Sequence, residues 1–287
     1  MRPLEYNTII MFKSSLIKIY VVHYSKLIDR KTYLTQVFSK NLISVDWVTE
    51  KDIDLLERPA KKSAKALGVS DKKLGMDLGV ASRSLIVSRR RARFQGHMLY
   101  LRSFFSKNNS YTTGSLPPKK TLPNSWLEVQ SMHLKALRRG VASKSDWILI
   151  LEDDAIPSED AFMQIKKILL TITAKNSWIS LNSGASLVRT SSDPKPDSNG
   201  LFKVKPATTR CAVSYLVSQD LASRMVDLVD ELGVPRWLPI DVVYQALLRK
   251  TNAQSYWQEP PVFEQGSESG RYSSAFELLR NPTKFCY

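Results

Sequence analysis

Apolar residues in this chain follow two rhythms. Continuous β-branched runs, "LIKIYVV" and "WILILE", read as buried strands, and "SVDWVTE", "WISLNS" and "QSYWQ" as shorter ones. Stripes at three- and four-residue spacing read as helices in "DRKTYLTQVFSKN", "QDLASRMVDLVDELG" and "IDVVYQALLRK". Ser125 and Glu128 have capping-box spacing at the head of a helix running through "VQSMHLKALRRG", which Gly140 is expected to end. A further helix, "EDAFMQIKKILLTIT", is expected to be capped by Ser158 with acids in its first turn. "LFKVKP" and "CAVSYLVS" look like strands paired with each other. Strands alternating with helices predict an α/β fold, with a central sheet mostly parallel in its first half and flanked by helices.

That pattern lapses between residues 58 and 115. Helical patches occur there, but no strand of comparable strength, and the segment reads as a basic insertion. Residues 58 to 93 hold eleven Lys or Arg against Asp71 and Asp77, more than half of the chain's formal excess of +15. Such a patch attracts polyanions, among them nucleic acid, anionic lipid headgroups and phosphorylated substrates, or simply keeps a surface solvated. The N-terminal apolar stretch is broken by Lys13 and Lys18, too short and charged to span a bilayer, and Glu5 argues against a secretory leader. Two cysteines, Cys211 and Cys286, make no disulfide framework and no C-x-x-C zinc pair. A cytoplasmic protein is expected.

The sharpest chemical signal is "WILILEDDAIPSED", where a buried strand runs into Glu152, Asp153 and Asp154. Strand alternation would turn Glu152 and Asp154 one way and Asp153 the other. Carboxyl ends of strands in open α/β sheets are where ligands bind. Carboxylates packed this closely repel one another, so one takes up a proton unless a cation lies between them. Hard oxygen ligands of this kind suit Mg²⁺ or Mn²⁺ shared with substrate phosphates. The plainer alternative has the acids capping the next helix or pairing with Arg and Lys.

Several stretches taken in order resemble the family 25 glycosyltransferases, which include lipopolysaccharide-biosynthesis and collagen galactosyltransferases. They are "IYVVHYSKLIDRK", "MHLKALRRGVASKSDWILILEDDA", "AVSYLVSQDLASRMV", "PIDVVYQALLRK" and "YWQEPPVFEQGS". The likeness covers about two thirds of the chain. It implies a GT-A fold: one domain with a nucleotide-binding half (15–57 and 116–190), the basic insertion (58–115), and an acceptor half with the C-terminal tail (200–287). It also implies inverting transfer of a sugar, from a nucleotide-diphospho-sugar such as a UDP-hexose, to a hydroxyl of a glycan, lipopolysaccharide or glycoconjugate.

By the same resemblance, Glu152 and Asp154 hold Mn²⁺ or Mg²⁺, directly or through water, and Asp153 meets a ribose hydroxyl. Val22, His23 and Tyr24 line the nucleotide base, and Arg30 reaches the base or a phosphate. For His23 a buried structural role stands beside this one, and for Tyr24 simple packing. His133 falls where the family carries a Ser-His pair on the donor side, although Met132 precedes it here. Asp241 matches the closing aspartate and is the expected base, or else a helix N-terminal acid, with Glu264 in reserve. The insertion has no counterpart in the resemblance. It would shape the acceptor site or rest on an anionic membrane bearing a lipid-linked acceptor.

Two other classes use the same features. A metal-dependent nucleotidyltransferase or phosphohydrolase would employ the acids on a phosphoryl group, but such enzymes usually carry a glycine-rich phosphate loop after the first strand, and "VVHYSKLIDR" has no glycine. A nucleic-acid-binding module would use the basic patch, but its aromatics fall at helical spacing rather than as a stacking platform, so no nucleic-acid partner is expected.

Overall fold

The strand leading into the acids is β3 (Trp147–Glu152), buried at five consecutive positions. In the computed structural model it lies inside a seven-stranded sheet. The residues described are 16–49, 124–172, 175–183, 195–205, 207–234 and 239–273. The basic insertion 58–115 and Cys286 lie outside them, as does the Ser125 side chain of the expected capping box.

Beside β3 runs β1 (Ile17–Val22), parallel and in register, with Val22 opposite Glu152. On its far side β1 pairs in parallel with β2 (Asp46–Val48). A short β4 (Ala155–Pro157) follows the acids. Then come β5 (Ser177–Ser180), β6 (Leu201–Val204), β7 (Ser214–Ser218), β8 (Gln254–Gln258) and β9 (Phe263–Gln265). The main sheet has the order β2-β1-β3-β7-β5-β8-β6. Strand β7 runs antiparallel to both of its neighbours, and the edge strand β6 is antiparallel to β8. The expected pairing of β6 with β7 does not occur: strands β5 and β8 separate them, because sheet neighbours here are set by helical crossovers rather than by sequence adjacency.

Among the described residues five helices cover the two faces: α1 (Ile28–Lys40), α2 (Asn124–Ser143), α3 (Ala161–Thr171), α4 (Gln219–Leu232) and α5 (Ile240–Lys250). Alternation along β3 sorts them. Ile148 and Ile150 pack into one core with α2, α4 and α5, while Leu149 and Leu151 pack into the other with α1 and α3. Each of these four side chains is fully buried and contributes roughly 2 kcal/mol.

Two helix boundaries differ from expectation. Helix α2 continues past Gly140 to Ser143. A Cβ at Gly140 would fall 2.6 Å from Ile148 Cδ1, so this glycine lets the helix approach β3 rather than ending the helix. Helix α3 begins at Ala161, after the acids expected in its first turn. Ser158 does not cap it with its side chain; its hydroxyl bonds the Asp160 carboxylate, which also accepts from Gln164. No helix among the described residues is long and apolar enough to cross a membrane.

The smaller sheet has the more direct effect on the acids. Strand β4 pairs antiparallel with β9, which draws the chain after the acids against the C-terminal segment. The Gly266 amide donates to the Asp154 carbonyl at 2.8 Å, carrying this pairing one step further.

Candidate active site

A cleft of about 250 Å³ opens at the carboxyl ends of β1 and β3. Val22 and Tyr24 from the β1 end, the acids from the β3 end, Ala212 and Val213 leading into β7, Asp241 at the start of α5, and Ser267 and Glu268 after β9 all line it. Glu152, Asp153 and Asp154 all face it. The expected alternation stops at Glu152, because the strand ends there and the next two residues turn. Glu152 still points to the α2 side, two residues beyond Ile150, and meets His133 there.

The three acids have different company. Asp153 is 6% exposed and both of its oxygens are engaged. Oδ1 accepts from Arg30 at 2.7 Å, while Oδ2 lies 2.9 Å from His23 Nδ1 and accepts the Tyr24 amide at 3.1 Å. Asp154 is held on one side only: the Ser267 hydroxyl donates to Oδ2 at 2.6 Å, and Oδ1 is buried with no hydrogen-bond partner among the described residues. Glu152 Oε1 lies 3.1 Å from His133 Nε2, and its side chain is 25% exposed.

Arg30, expected at a base or phosphate, has its hydrogen bonds committed to Asp153 and to the Ser273 carbonyl, and its guanidinium lies over the Tyr272 ring. It comes no nearer than 3.9 Å to Asp154. His23 is 1% exposed, meets Trp47 edge-on, and borders a neighbouring recess of about 620 Å³ along α1. His133 is fully buried and does not line the cleft. It stands behind Glu152, where the helix α2 packs on the sheet, so it supports a carboxylate instead of touching a ligand. Glu264 is exposed on β9 and also does not line the cleft; strand alternation gives that position to Gln265.

Asp241 sits at the opposite wall, in the first turn of α5, with Oδ1 buried and unpartnered among the described residues. It is also the first-turn acid of α5: the N-cap position is Pro239, which forms no side-chain capping bond, and the Asp241 carboxylate accepts backbone N–H groups of Ala212 and of Asp241 itself. Burial, then the nearby Glu152 charge, pushes the Asp241 carboxyl up to about 6.

No family model matches this chain, and no curated protein matches it either. The charge of the cleft is one-sided. Among the described residues its wall holds Glu152, Asp153, Asp154, Asp241 and Glu268 against one cationic side chain, Arg30, which already serves Asp153. Burial, with Asp154 and Asp153 close by, pushes Glu152 up to about 8. Burial also raises Asp154, opposed by the Ser267 hydrogen bond and by Arg30. His133 is driven down to about 4 by burial.

These shifts fit the hydrogen-bond geometry. Tyr215 gives its proton to Tyr244 at 2.9 Å, so its oxygen accepts from His133 Nδ1 at 3.1 Å. A neutral ring protonated at Nδ1 offers only a lone pair at Nε2, and Glu152 supplies the missing proton.

Among the described residues no three His, Cys, Asp or Glu side chains gather into a cluster able to hold a metal by themselves. A hard divalent cation shared with a diphosphate asks less of the protein, one or two carboxylates. Glu152 and the unpartnered Asp154 Oδ1 fit that demand. Ser267 carries no signal in the sequence, where "QGSESG" looks like a surface tail; the β4–β9 pairing that delivers it to Asp154 has no local signature.

Proposed function

We propose that this protein is a glycosyltransferase with a GT-A fold, of the family 25 type. In this reading it moves a hexose from a UDP-sugar to a hydroxyl of a glycan, lipopolysaccharide or lipid-linked acceptor, with inversion. One observation carries it: two carboxylate oxygens, Asp154 Oδ1 and Asp241 Oδ1, are buried without described partners on walls of the same cleft, at the strand ends where α/β sheets bind ligands. Burying an unpartnered carboxylate oxygen is costly, so a cation and a polar substrate are the groups that would satisfy them.

In the proposed reaction Glu152 and Asp154 would hold Mn²⁺ or Mg²⁺, and the ion would supply positive charge to offset the negative charge that grows on the leaving diphosphate. Val22 and Tyr24 line the donor side. Asp153 holds the β1–α1 loop in place through Tyr24, His23 and Arg30, and so shapes the nucleoside end of the cleft. Asp241 accepts the proton of the acceptor hydroxyl as that oxygen attacks. A carboxyl near 6 is suited to this, being ionised at neutral pH yet basic enough to take a proton. A cytoplasmic setting and an acceptor presented at the inner face of a membrane belong to the same proposal.

The test is a panel of nucleotide sugars with and without Mn²⁺, read by thermal shift and by product analysis. A ligand bound by the native state alone raises its melting temperature. Stabilisation by a UDP-sugar that requires Mn²⁺ and disappears in Asp154→Ala, with UDP and sugar as products, is the expected result. Release of UMP would move the chemistry to phosphoryl transfer, and a metal-independent shift would remove the role given to the acids.

A further inference from the structure

We propose that Tyr215 is a positioning residue for this reaction, acting through His133 to fix the Glu152 carboxylate at the cleft. The proposal rests on the glycosyltransferase reading. Tyr215 lies on β7 directly opposite Ile150, two residues before Glu152 and on the same face of the sheet. From there its hydroxyl reaches His133, and a single chain of contacts runs Tyr244, Tyr215, His133, Glu152, at 2.9, 3.1 and 3.1 Å. The first three residues are fully buried, and the fourth opens onto the cleft.

The chain is held rigidly. Trp178 stacks on the Tyr215 ring at 4.1 Å with 14° between planes, and it also packs on Tyr244 at 5.1 Å. The Trp178 indole N–H donates to Ser180, so it does not compete for the tyrosine hydroxyls. A ring anchored at one nitrogen by a clamped hydroxyl cannot swing about its own axis. Its other nitrogen is therefore aimed, and Glu152 Oε1 is where it points.

Stability alone does not call for this arrangement. The surrounding cluster is apolar, and replacing both partners of a buried hydrogen bond by apolar groups of the same shape is close to neutral. Phenylalanines at 215 and 244 would fill nearly the same volume. What they would not do is orient His133. The polar chain gains its purpose where it ends, on a carboxylate of the proposed cation site. Asp154 has a shorter version of the same device in Ser267. Partners of this second kind typically alter metal affinity 10- to 100-fold.

The experiment measures Mn²⁺·UDP affinity by calorimetry, alongside kcat, KM and melting temperature, for wild type, Tyr215→Phe, Tyr244→Phe and His133→Gln. Tyr215→Phe is expected to bind about tenfold more weakly and to lose kcat about as much, with acceptor KM unchanged. His133→Gln places an amide near the Nε2 position without needing Tyr215, its oxygen able to accept from Glu152 as Nε2 does. It should keep affinity within about threefold of wild type, and adding Tyr215→Phe to it should change nothing more, as expected of residues acting in one chain.

A Tyr215→Phe protein that melts lower but binds and turns over like wild type would overturn the proposal, leaving Tyr215 a packing residue. Should Tyr215→Phe fail to fold, Tyr244→Phe carries the same comparison, since it removes the group that receives the Tyr215 proton. If wild type itself binds no Mn²⁺·UDP, the glycosyltransferase reading fails first and this proposal with it. If wild type binds and Tyr215→Phe is indistinguishable, only the positioning role fails.

Discussion

Asp153 meets Arg30, His23 and the Tyr24 amide, and both of its oxygens are engaged; Asp154, the next residue, meets Ser267 at one oxygen and has no described partner at the other. The two sides of the cleft differ in the same way. The β1–α1 side is a closed ion-pair network. The side formed by Glu152, Asp154 and Asp241 gathers three carboxyl groups, two of which keep a buried oxygen with no described hydrogen-bond partner. Adjacent carboxylates of like chemistry thus have different surroundings: one ties secondary-structure elements together, and the other keeps a buried oxygen with no described partner. Buried acids are costly unless paired, so the unpaired side is where function is expected.

Substitutions can break this contrast, and the largest effect belongs to the open side. Asp154→Asn should lower turnover about a thousandfold, the several kcal/mol expected of a charge on a metal site, while the melting temperature holds or rises. A variant with near-normal turnover at saturating Mn²⁺ would show that the open oxygen has no ligand. On the closed side, Asp153→Ala strands Arg30 and His23 in a buried place, and should cost about 3 kcal/mol or roughly 10 °C on thermal denaturation. Little loss of stability there would erase the difference between the two aspartates.

Asp241→Asn should reduce kcat about a hundredfold with donor affinity kept, measured in steady-state assays. It also carries a pH signature. Because the folded carboxyl sits at about 6, above its ordinary value of 3.8, ionising it costs the native state stability as pH rises from that ordinary value through 6. The uncharged variant should therefore melt higher than wild type at pH 8, in the absence of metal, and show little difference at pH 4. The smallest effect is expected from Ser267→Ala, about a tenfold loss of Mn²⁺·UDP affinity by calorimetry, since Asp154 remains but is no longer oriented.

What the sequence makes legible is governed by how local each signal is. Strands β1 and β3 are continuous apolar runs, and helices α4 and α5 carry buried stripes, so each can be found without knowing its neighbours. Gly140 misleads because glycine serves both helix ends and close approaches, and only the position of Ile148 decides between them. The acids stand out as a group, but their division of labour does not. Arg30 lies 123 residues from Asp153, and Ser267 lies 113 residues from Asp154; no periodicity links such positions. Buried Arg30 does leave one trace, since it occupies the first position of the inward stripe of α1, ahead of Leu34 and Phe38. His133 can be picked out as a histidine on an amphipathic helix, but nothing local indicates that Tyr215 and Tyr244 stand behind it.

The hydrogen bond from Arg30 to the Ser273 carbonyl joins positions 243 residues apart. Contacts so distant along a chain form late in folding, once most of the intervening polypeptide is already in place. All seven strands described in the main sheet precede residue 259, so a ribosome could release them into a nearly complete scaffold while the residues that partner Asp154 and brace Arg30 were still in the exit tunnel. The acidic hollow would then be finished only after the main sheet has paired, by a segment that follows every strand of that sheet.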